Sequence, residues 1–318
     1  MRANELEAIE MHEHSNHILP MQSRGTEMGS TGNWLALAAF LVGLAGTAPL
    51  GARAEELKPA TISAFTKYIQ SKETRSNKEL ADGKNFLWID TLPETDRTKA
   101  YADLKAGQII ARRSDECGDC TSISGGLIHD WTGVVFIPGI SIQQALAALQ
   151  DYDRDAEYYQ PEVVKSKLLQ KSGDDFHIYL RLKQVHVITV VLDTEYDVHY
   201  AHLGASHAES RSYSTRISEV ENPGGPQERD LPAGDDHGFL WRLNSYWRFY
   251  QADGGVYLQC NAISLTRDVP TGLGWLVRPF IENVPRESLN FTLEATRKAL
   301  LSKLGGTLGA AHALGKSH

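Results

Sequence analysis

The 318-residue chain has only three cysteines, Cys117, Cys120 and Cys260, and no methionine after Met28, the other three being Met1, Met11 and Met21. A zinc site built on the CxxC pair Cys117 and Cys120 needs two further ligands at matching spacing, which Cys260 alone does not supply, and Thr121 stands where a c-type haem motif needs histidine. A thioredoxin-type redox pair sits at a helix start, whereas Thr121 to Gly126 reads as loop. Positive charge is also short: 32 Lys and Arg stand against 40 Asp and Glu, a formal charge of -8. The electrostatic footprint of a nucleic-acid binder is therefore missing. No GxSxG, Walker or GxGxxG pattern occurs, and Gly272-Leu273-Gly274 lacks the third glycine, so nucleophilic and phosphate chemistry have no support. His12-Glu13-His14 with His17 misses the HExxH zinc pattern because Asn16 stands in between. No cofactor and no metal are expected.

Long apolar runs are absent too. Trp34 to Ala48 (WLALAAFLVGLAGTA) is uncharged but only 15 residues long, short of the roughly 20 that cross a bilayer as a helix and suited to the h-region of a signal peptide. Ala52-Arg53-Ala54 follows as an A-x-A cleavage site. A start at Met21 or Met28 leaves a conventional short n-region, whereas Met1 leaves a long acidic one, so residues 1–54 are read as an export segment with a misassigned start. The mature chain is expected to be acidic, without a transmembrane span, and periplasmic or secreted. In that compartment Cys117 and Cys120 read as a local disulfide.

The hydrophobic fraction of 42% and charged fraction of 23% are ordinary for a globular chain. Residues 55–125 read as a helical extension and linker. One helix starts at Pro59, with Thr61 as cap, Ile62, Phe65 and Ile69 at helical spacing, and Lys72 to Glu79 on a solvated face. A second runs from about Pro93 to Ala106, with Thr91 as cap and Gly107 as stop. The Gly-, Ser- and Cys-rich stretch 114–126 marks the boundary. Then come a strand over 127–137, a helix capped by Ser141, and an acidic Tyr-rich segment. Six strands follow, at about 163–171, 175–184, 185–203, 209–221, 238–251 and 255–267. Hairpin-length links such as Ser172-Gly173-Asp174 and Asp253-Gly254-Gly255 require an antiparallel sheet. The 16-residue loop Asn222 to His237 is long enough to suggest a lid or a disordered segment. A final helix within 273–303 carries the stripe Leu289, Leu293, Thr296 and Leu300, with Pro279 and Pro285 interrupting its start, and 304–318 is a flexible tail.

Three stretches carry a family resemblance: LQDYDRDAEYYQPEVVKSKLLQKSGDDFHIYL (149 to 180), WRLNSYWRFYQADGGVYLQCNAISLTRD (241 to 268) and VPRESLNFTLEATRKAL (284 to 300). With the order strand, two helical pieces, six strands, long helix, residues 126–303 resemble the START-like, Bet v 1-like superfamily (SRPBCC, polyketide cyclase and coenzyme Q-binding type). The resemblance implies an α+β helix-grip fold, a curved antiparallel sheet wrapped around the C-terminal helix with room for a ligand between them.

Alternation indicates which residues face that space. His186, Ile188, Val190, Leu192, Thr194, Tyr196, Val198 and Tyr200 point inward, opposite Asp193, Glu195, Asp197 and His199. Phe239, Trp241, Leu243, Ser245, Trp247 and Phe249 form the buried face of the next long strand. Val256, Leu258, Cys260, Ala262 and Ser264 are small enough at sheet centre to leave room. The first strand has no clean apolar face, and His129 is either a polar contact in the cavity or a satisfied edge histidine. The expected lining set is Trp131, Tyr196, Tyr200, Trp241, Trp247 and Leu258, with His129. Asp151, Asp153, Asp155 and Glu162 match EF-hand positions 1, 3, 5 and 12, but Ala156 replaces the turn glycine, and a solvated acidic loop is the expectation. The function expected is an exported, non-catalytic binder of a hydrophobic small molecule or lipid. The alternatives are a cyclase or hydratase using His129 and Tyr196, and a structural or partner-binding protein; a protein partner is left open.

Overall fold

The computed structural model describes residues 57–114, 122–185, 189–232, 236–268 and 284–303. Helix α1 (Pro59–Asp82), a 3-10 turn (Trp88–Thr91) and α2 (Glu94–Lys105) come first. The strands are β1 (Ile110–Arg113), β2 (Ser122–Ile123) and β3 (Gly126–Pro138), then, after α3 (Ile142–Leu149), a 3-10 turn (Tyr152–Arg154) and α4 (Asp155–Tyr158), β4 (Val163–Ser172), β5 (Asp175–Val185), β6 (Thr189–His202), β7 (His207–Glu221), β8 (Arg229–Asp230), β9 (Arg242–Ala252) and β10 (Gly255–Arg267). Helix α5 occupies residues 284–303.

All pairings are antiparallel, in the order β1-β3-β10-β9-β7-β6-β5-β4, with β2 beside β3 and β8 beside β7. The first long strand pairs with the last, from Gly126 opposite Arg267 to Pro138 opposite Gly255. That closes the chain order on itself. The β9–β10 hairpin turns at Asp253 and Gly254, both at positive φ (54° and 73°), as a two-residue turn matching strand twist requires. Ser141 caps α3, its Oγ accepting from Gln144 N while the Gln144 amide returns to Ser141 N.

The pleat gives the sheet two faces. Odd positions of β3 and β9 and even positions of β10, β6 and β5 meet α3 and α5 in the main core, which includes Val135, Ile137, Phe249, Leu258, Tyr196, Val198 and Phe176. Leu289, Leu293, Thr296 and Leu300 of α5 are all buried. A Cβ on Gly133 would lie 2.5 Å from Leu293 Cδ1, so α5 crosses β3 where the strand has no side chain.

The opposite face is covered by the N-terminal helices. Phe65 and Ile69 of α1 pack on Ile128, Ile263 and Leu265, while Leu87, Ile89 and Leu104 pack on Val134, Phe136 and Tyr257. Here several expectations need correction. The charged run from Lys72 to Glu79 is solvated on one side only, at Thr74, Arg75, Asn77 and Lys78, and its other side bonds to the sheet. Lys72 Nζ lies 2.9 Å from Asp130 Oδ2, Glu73 accepts from Tyr213 (2.7 Å) and Tyr246 (2.9 Å), and Arg248 donates to Ser76 (2.8 Å) and Glu79 (3.0 Å). Those partners are the polar, outward positions of β3, β7 and β9, which helical periodicity in α1 alone does not reveal. Thr61 is not the cap of α1: Lys58 is, and the buried Thr61 donates to the Ser124 carbonyl oxygen (2.6 Å). Thr91 likewise closes the 3-10 turn by donating to Trp88 O, and Pro93 precedes α2. Within the segment read as helical, Ile110–Arg113 is instead an edge strand on β3. The 222–237 loop is tied to the sheet where it is described: β8 pairs with β7, Glu228 bonds Arg181 (2.7 Å) and Asp230 bonds Arg216 (2.8 Å).

Candidate ligand-binding face

Strand register sets the rows of side chains across the helix-covered face of the curved sheet. One row runs Trp131, Ala262, Ser245, Ser212, Val198, Phe176, and a neighbouring one runs His129, Ser264, Leu243 on β3, β10 and β9. Leu243 N donates to Ser214 Oγ (3.0 Å), and Ser214 pairs with Tyr196, so that row continues onto β7 and β6. The row on the other side reads Gly133, Cys260, Trp247, Ser210, Tyr200. Small residues thus fill the centre of three adjacent strands. Trp131, Ala262, Leu243, Ser245, Trp247 and Ser212 remain partly accessible, although Ile263, Asn244 and Arg248 behind them are buried by α1. Among the described residues, no side chain fully covers this part of the core.

Two tyrosines at its margin differ sharply. Tyr200 is buried and its hydroxyl bonds the Tyr152 hydroxyl (2.8 Å). Tyr196 is 5% exposed, and its hydroxyl has no hydrogen-bond partner among the described residues. Burial pushes its pKa up to about 12, with the neighbouring Thr194 hydroxyl pulling weakly the other way; Thr194 itself donates to the Leu180 carbonyl oxygen (2.8 Å). Leaving a buried hydroxyl unsatisfied is costly, and native folds rarely do so without a reason. Nearby, Asp155 is buried among Tyr152, Tyr159 and Tyr200, and burial raises its carboxyl pKa well above the usual range, assisted by Asp151 and opposed by Lys303.

Of the expected lining residues, Trp131 and Trp247 are packed against the main core from its accessible part, and Tyr196, Tyr200 and Leu258 are buried within it. Trp241 is not on this face. Strand β9 begins only at Arg242, so the alternation does not extend to Trp241. Its ring packs with Phe65, Ile69 and Ile263 under α1, with Nε1 donating to Asp236 (3.1 Å). His129 is buried, and its Nε2 lies 3.1 Å from Thr266 Oγ1. Strands β10, β9 and β7 stand between His129 and Tyr196, so the described contacts do not assemble the acid-base pair a cyclase or hydratase reading needs. Cys117, Cys120, His186 and Ile188 lie outside the described residues. Cys260 is a free, buried thiol whose pKa burial raises, the opposite of a reactive cysteine.

The acidic segment does not converge on a point. Asp153 accepts from Leu168 N (2.8 Å), Asp151 meets Lys303 (3.2 Å) and Asp155 is buried. No group of three metal-ligating side chains occurs among the described residues. Sequence reading missed Ser210, Ser212 and Ser214 as lining residues. Their regular i, i+2 spacing in β7 was available, but serine alternating with Arg211 and Tyr213 shows no apolar face.

No protein-family model and no curated protein matches the sequence. Among solved structures, the chain is similar to a STAR-related lipid transfer protein (fragment 25–204) from Xanthomonas axonopodis, at 17% identity and TM-score 0.39 over 60% of this chain and 98% of that one. It is similar to human STARD10 at 10% identity and TM-score 0.38, over 69% and 84%. It is also similar to the Zhui aromatase/cyclase from Streptomyces sp. R1128 at 13% identity and TM-score 0.38, over 56% and 96%. The fold itself is read from strand order: a first strand paired with the last, two short helices, an antiparallel series and a terminal helix on the inner face. The chain has an α+β helix-grip fold, a curved antiparallel sheet against its C-terminal helix.

Proposed function

We propose that this protein binds a hydrophobic small molecule or lipid between the inner face of the sheet and α5. The observation that carries the reading is the partly accessible patch of Trp131, Ala262, Leu243, Ser245, Trp247 and Ser212 at the centre of a sheet whose surroundings are buried. Sheet centres under a helix are normally packed to near-crystalline density. Here small side chains sit beside two indoles, and apolar matter covering them gains about 25 cal/mol per Å² removed from water. The resemblance to lipid-transfer and cyclase folds supports the same class of ligand. Protein purified under native conditions, extracted with organic solvent and analysed by mass spectrometry should yield stoichiometric apolar material. An extract identical to that of a control protein purified alongside it would refute the reading.

The proposal includes export to a periplasmic or extracellular compartment. It is supported by the 15-residue uncharged run Trp34 to Ala48 and the A-x-A triplet ending at Ala54. N-terminal sequencing of protein from the culture medium or periplasm should begin near Glu55; a chain still starting upstream of Trp34 would contradict cleavage. No helix among the described residues is long and apolar enough to cross a membrane.

A further inference from the structure

We propose that Arg113 makes one end of the inner face an oxyanion site: the ligand is a long-chain carboxylate whose acid group pairs with the Arg113 guanidinium and whose apolar chain lies over Trp131, Ala262 and Ser245. This rests on the binding function proposed above and names the class of ligand.

Strand register places the guanidinium. Arg113 lies opposite Trp131, and two residues earlier Ala111 lies opposite Gly133. Ala111 packs against the main core, and Leu289 and Leu293 of α5 pass over Gly133. Arg113 therefore stands on the inner face, one pleat along from the residues beneath α5, while Arg112 turns to the other side and lies over the Trp88 ring (4.3 Å). The row across the sheet reads Arg113, Trp131, Ala262, Ser245, Ser212. Its four strand spacings cover about 19 Å, the reach of a long acyl chain rather than of a short acid. A second cation, Lys171, ends the same row opposite Phe176. Lys171 is exposed, its ammonium lies 4.8 Å from the Phe176 ring centroid, and the buried Phe176 and Val198 separate it from the accessible patch. Arg113 adjoins that patch directly.

Pairing separates Arg113 from the other arginines of the sheet. On the outer face Arg181, Arg211, Arg216 and Arg248 each meet a carboxylate, of Asp193, Glu209, Glu195 and Glu79 respectively. Arg113 is half-buried and has no hydrogen-bond or ion-pair partner among the described residues. Glu219, the acid opposite Leu192 at the far end of β7, is occupied by His237 (2.8 Å). Withdrawing a cation from water without a counter-charge is costly. A guanidinium presents a planar fork of donors that matches the two oxygens of a carboxylate, and one such pair balances one negative charge. A single charged anchor at the end of an otherwise apolar surface fixes the orientation of the ligand.

The test uses the full chain and a matched pair of fluorescent probes, dansyl-aminoundecanoic acid and its methyl ester, with Trp131 and Trp247 as energy-transfer donors. Near neutral pH the acid should bind about tenfold more tightly than the ester. Arg113→Gln should remove that advantage, leaving ester affinity and melting temperature unchanged, and Arg113→Lys should retain part of it. Lys171→Gln should alter the binding of neither probe. An ester bound as tightly as the acid, an acid unaffected by Arg113→Gln, or an acid weakened by Lys171→Gln instead overturns the proposal while leaving apolar binding intact. If neither probe binds, the native extract decides. Carboxylic acids that are present in the wild-type extract and depleted in that of Arg113→Gln support the proposal, and apolar material without that difference overturns it alone. An extract free of apolar material overturns the binding function beneath it.

Discussion

Tyr196 and Tyr200 lie on the same face of β6, both buried, and their hydroxyls have opposite consequences for the free protein. Removing the Tyr196 hydroxyl, which has no hydrogen-bond partner among the described residues, with Tyr196→Phe should stabilise the ligand-free chain by about 1 kcal/mol, whereas Tyr200→Phe, which takes a partner from the Tyr152 hydroxyl, should destabilise it by a similar amount. Urea unfolding of the two variants checks the sign. Asp155 adds a pH dependence. The folded chain retains a proton on this carboxyl that the unfolded chain releases above its ordinary value of 3.8. Its contribution to stability is therefore complete below that value and is lost as pH rises toward the elevated one. Asp155→Asn has no proton to lose and should flatten the decline in stability from mildly acidic to neutral pH; an unchanged slope would mean the carboxyl ionises freely in the fold. None of these distinctions was legible in the sequence, where Tyr196 and Tyr200 occupy equivalent inward positions and Asp155 belongs to an acidic run. Hydroxyl satisfaction and carboxyl burial depend on which side chains arrive from β7, α4 and α5.

Among the elements, α1 is where sequence and structure part most. Its apolar spacing through Phe65 and Ile69 is visible in the sequence, but half of its docking is polar, through Lys72, Glu73, Ser76 and Glu79. Asp130, almost wholly buried, holds Lys72, Tyr68 and Asn261 together. Replacing it by alanine removes the buried carboxylate that Lys72, Tyr68 and Asn261 share, and a loss of about 3–5 kcal/mol is expected. A Lys72→Met, Asp130→Ala pair should recover part of that loss. The same packing makes the extension part of the fold rather than an appendage. A chain beginning near Gly126 exposes Ile128, Trp241, Ile263 and Leu265 together and should aggregate or bind hydrophobic dyes strongly; a soluble, cooperatively melting fragment would contradict this. At β3, the mixed pattern that defeated a one-face assignment follows from burial on both sides, by α5 on the odd positions and by the extension on the even ones.

At the scale of the whole molecule, hairpin lengths and alternation made the antiparallel series and terminal helix legible, because both signals are local. The pairing of β3 with β10 is long-range and was not legible in the sequence, and the closure around α5 came from the family resemblance rather than from periodicity. The proposed binding face was half legible: Trp131 and Trp247 were named as candidates and pack against the main core, Trp241 was misplaced by extending a strand four residues too far, and the serine rows gave no apolar signal. The central claim is that the middle of the inner face accommodates an apolar guest. Ser245→Trp fills that middle, on a strand whose neighbours are already paired. Native mass spectrometry of this variant beside the wild type measures the claim most directly. The wild type should carry an added mass that vanishes on denaturation, and the folded Ser245→Trp protein should carry none. Equal added mass on both proteins, or none on either, would contradict the account.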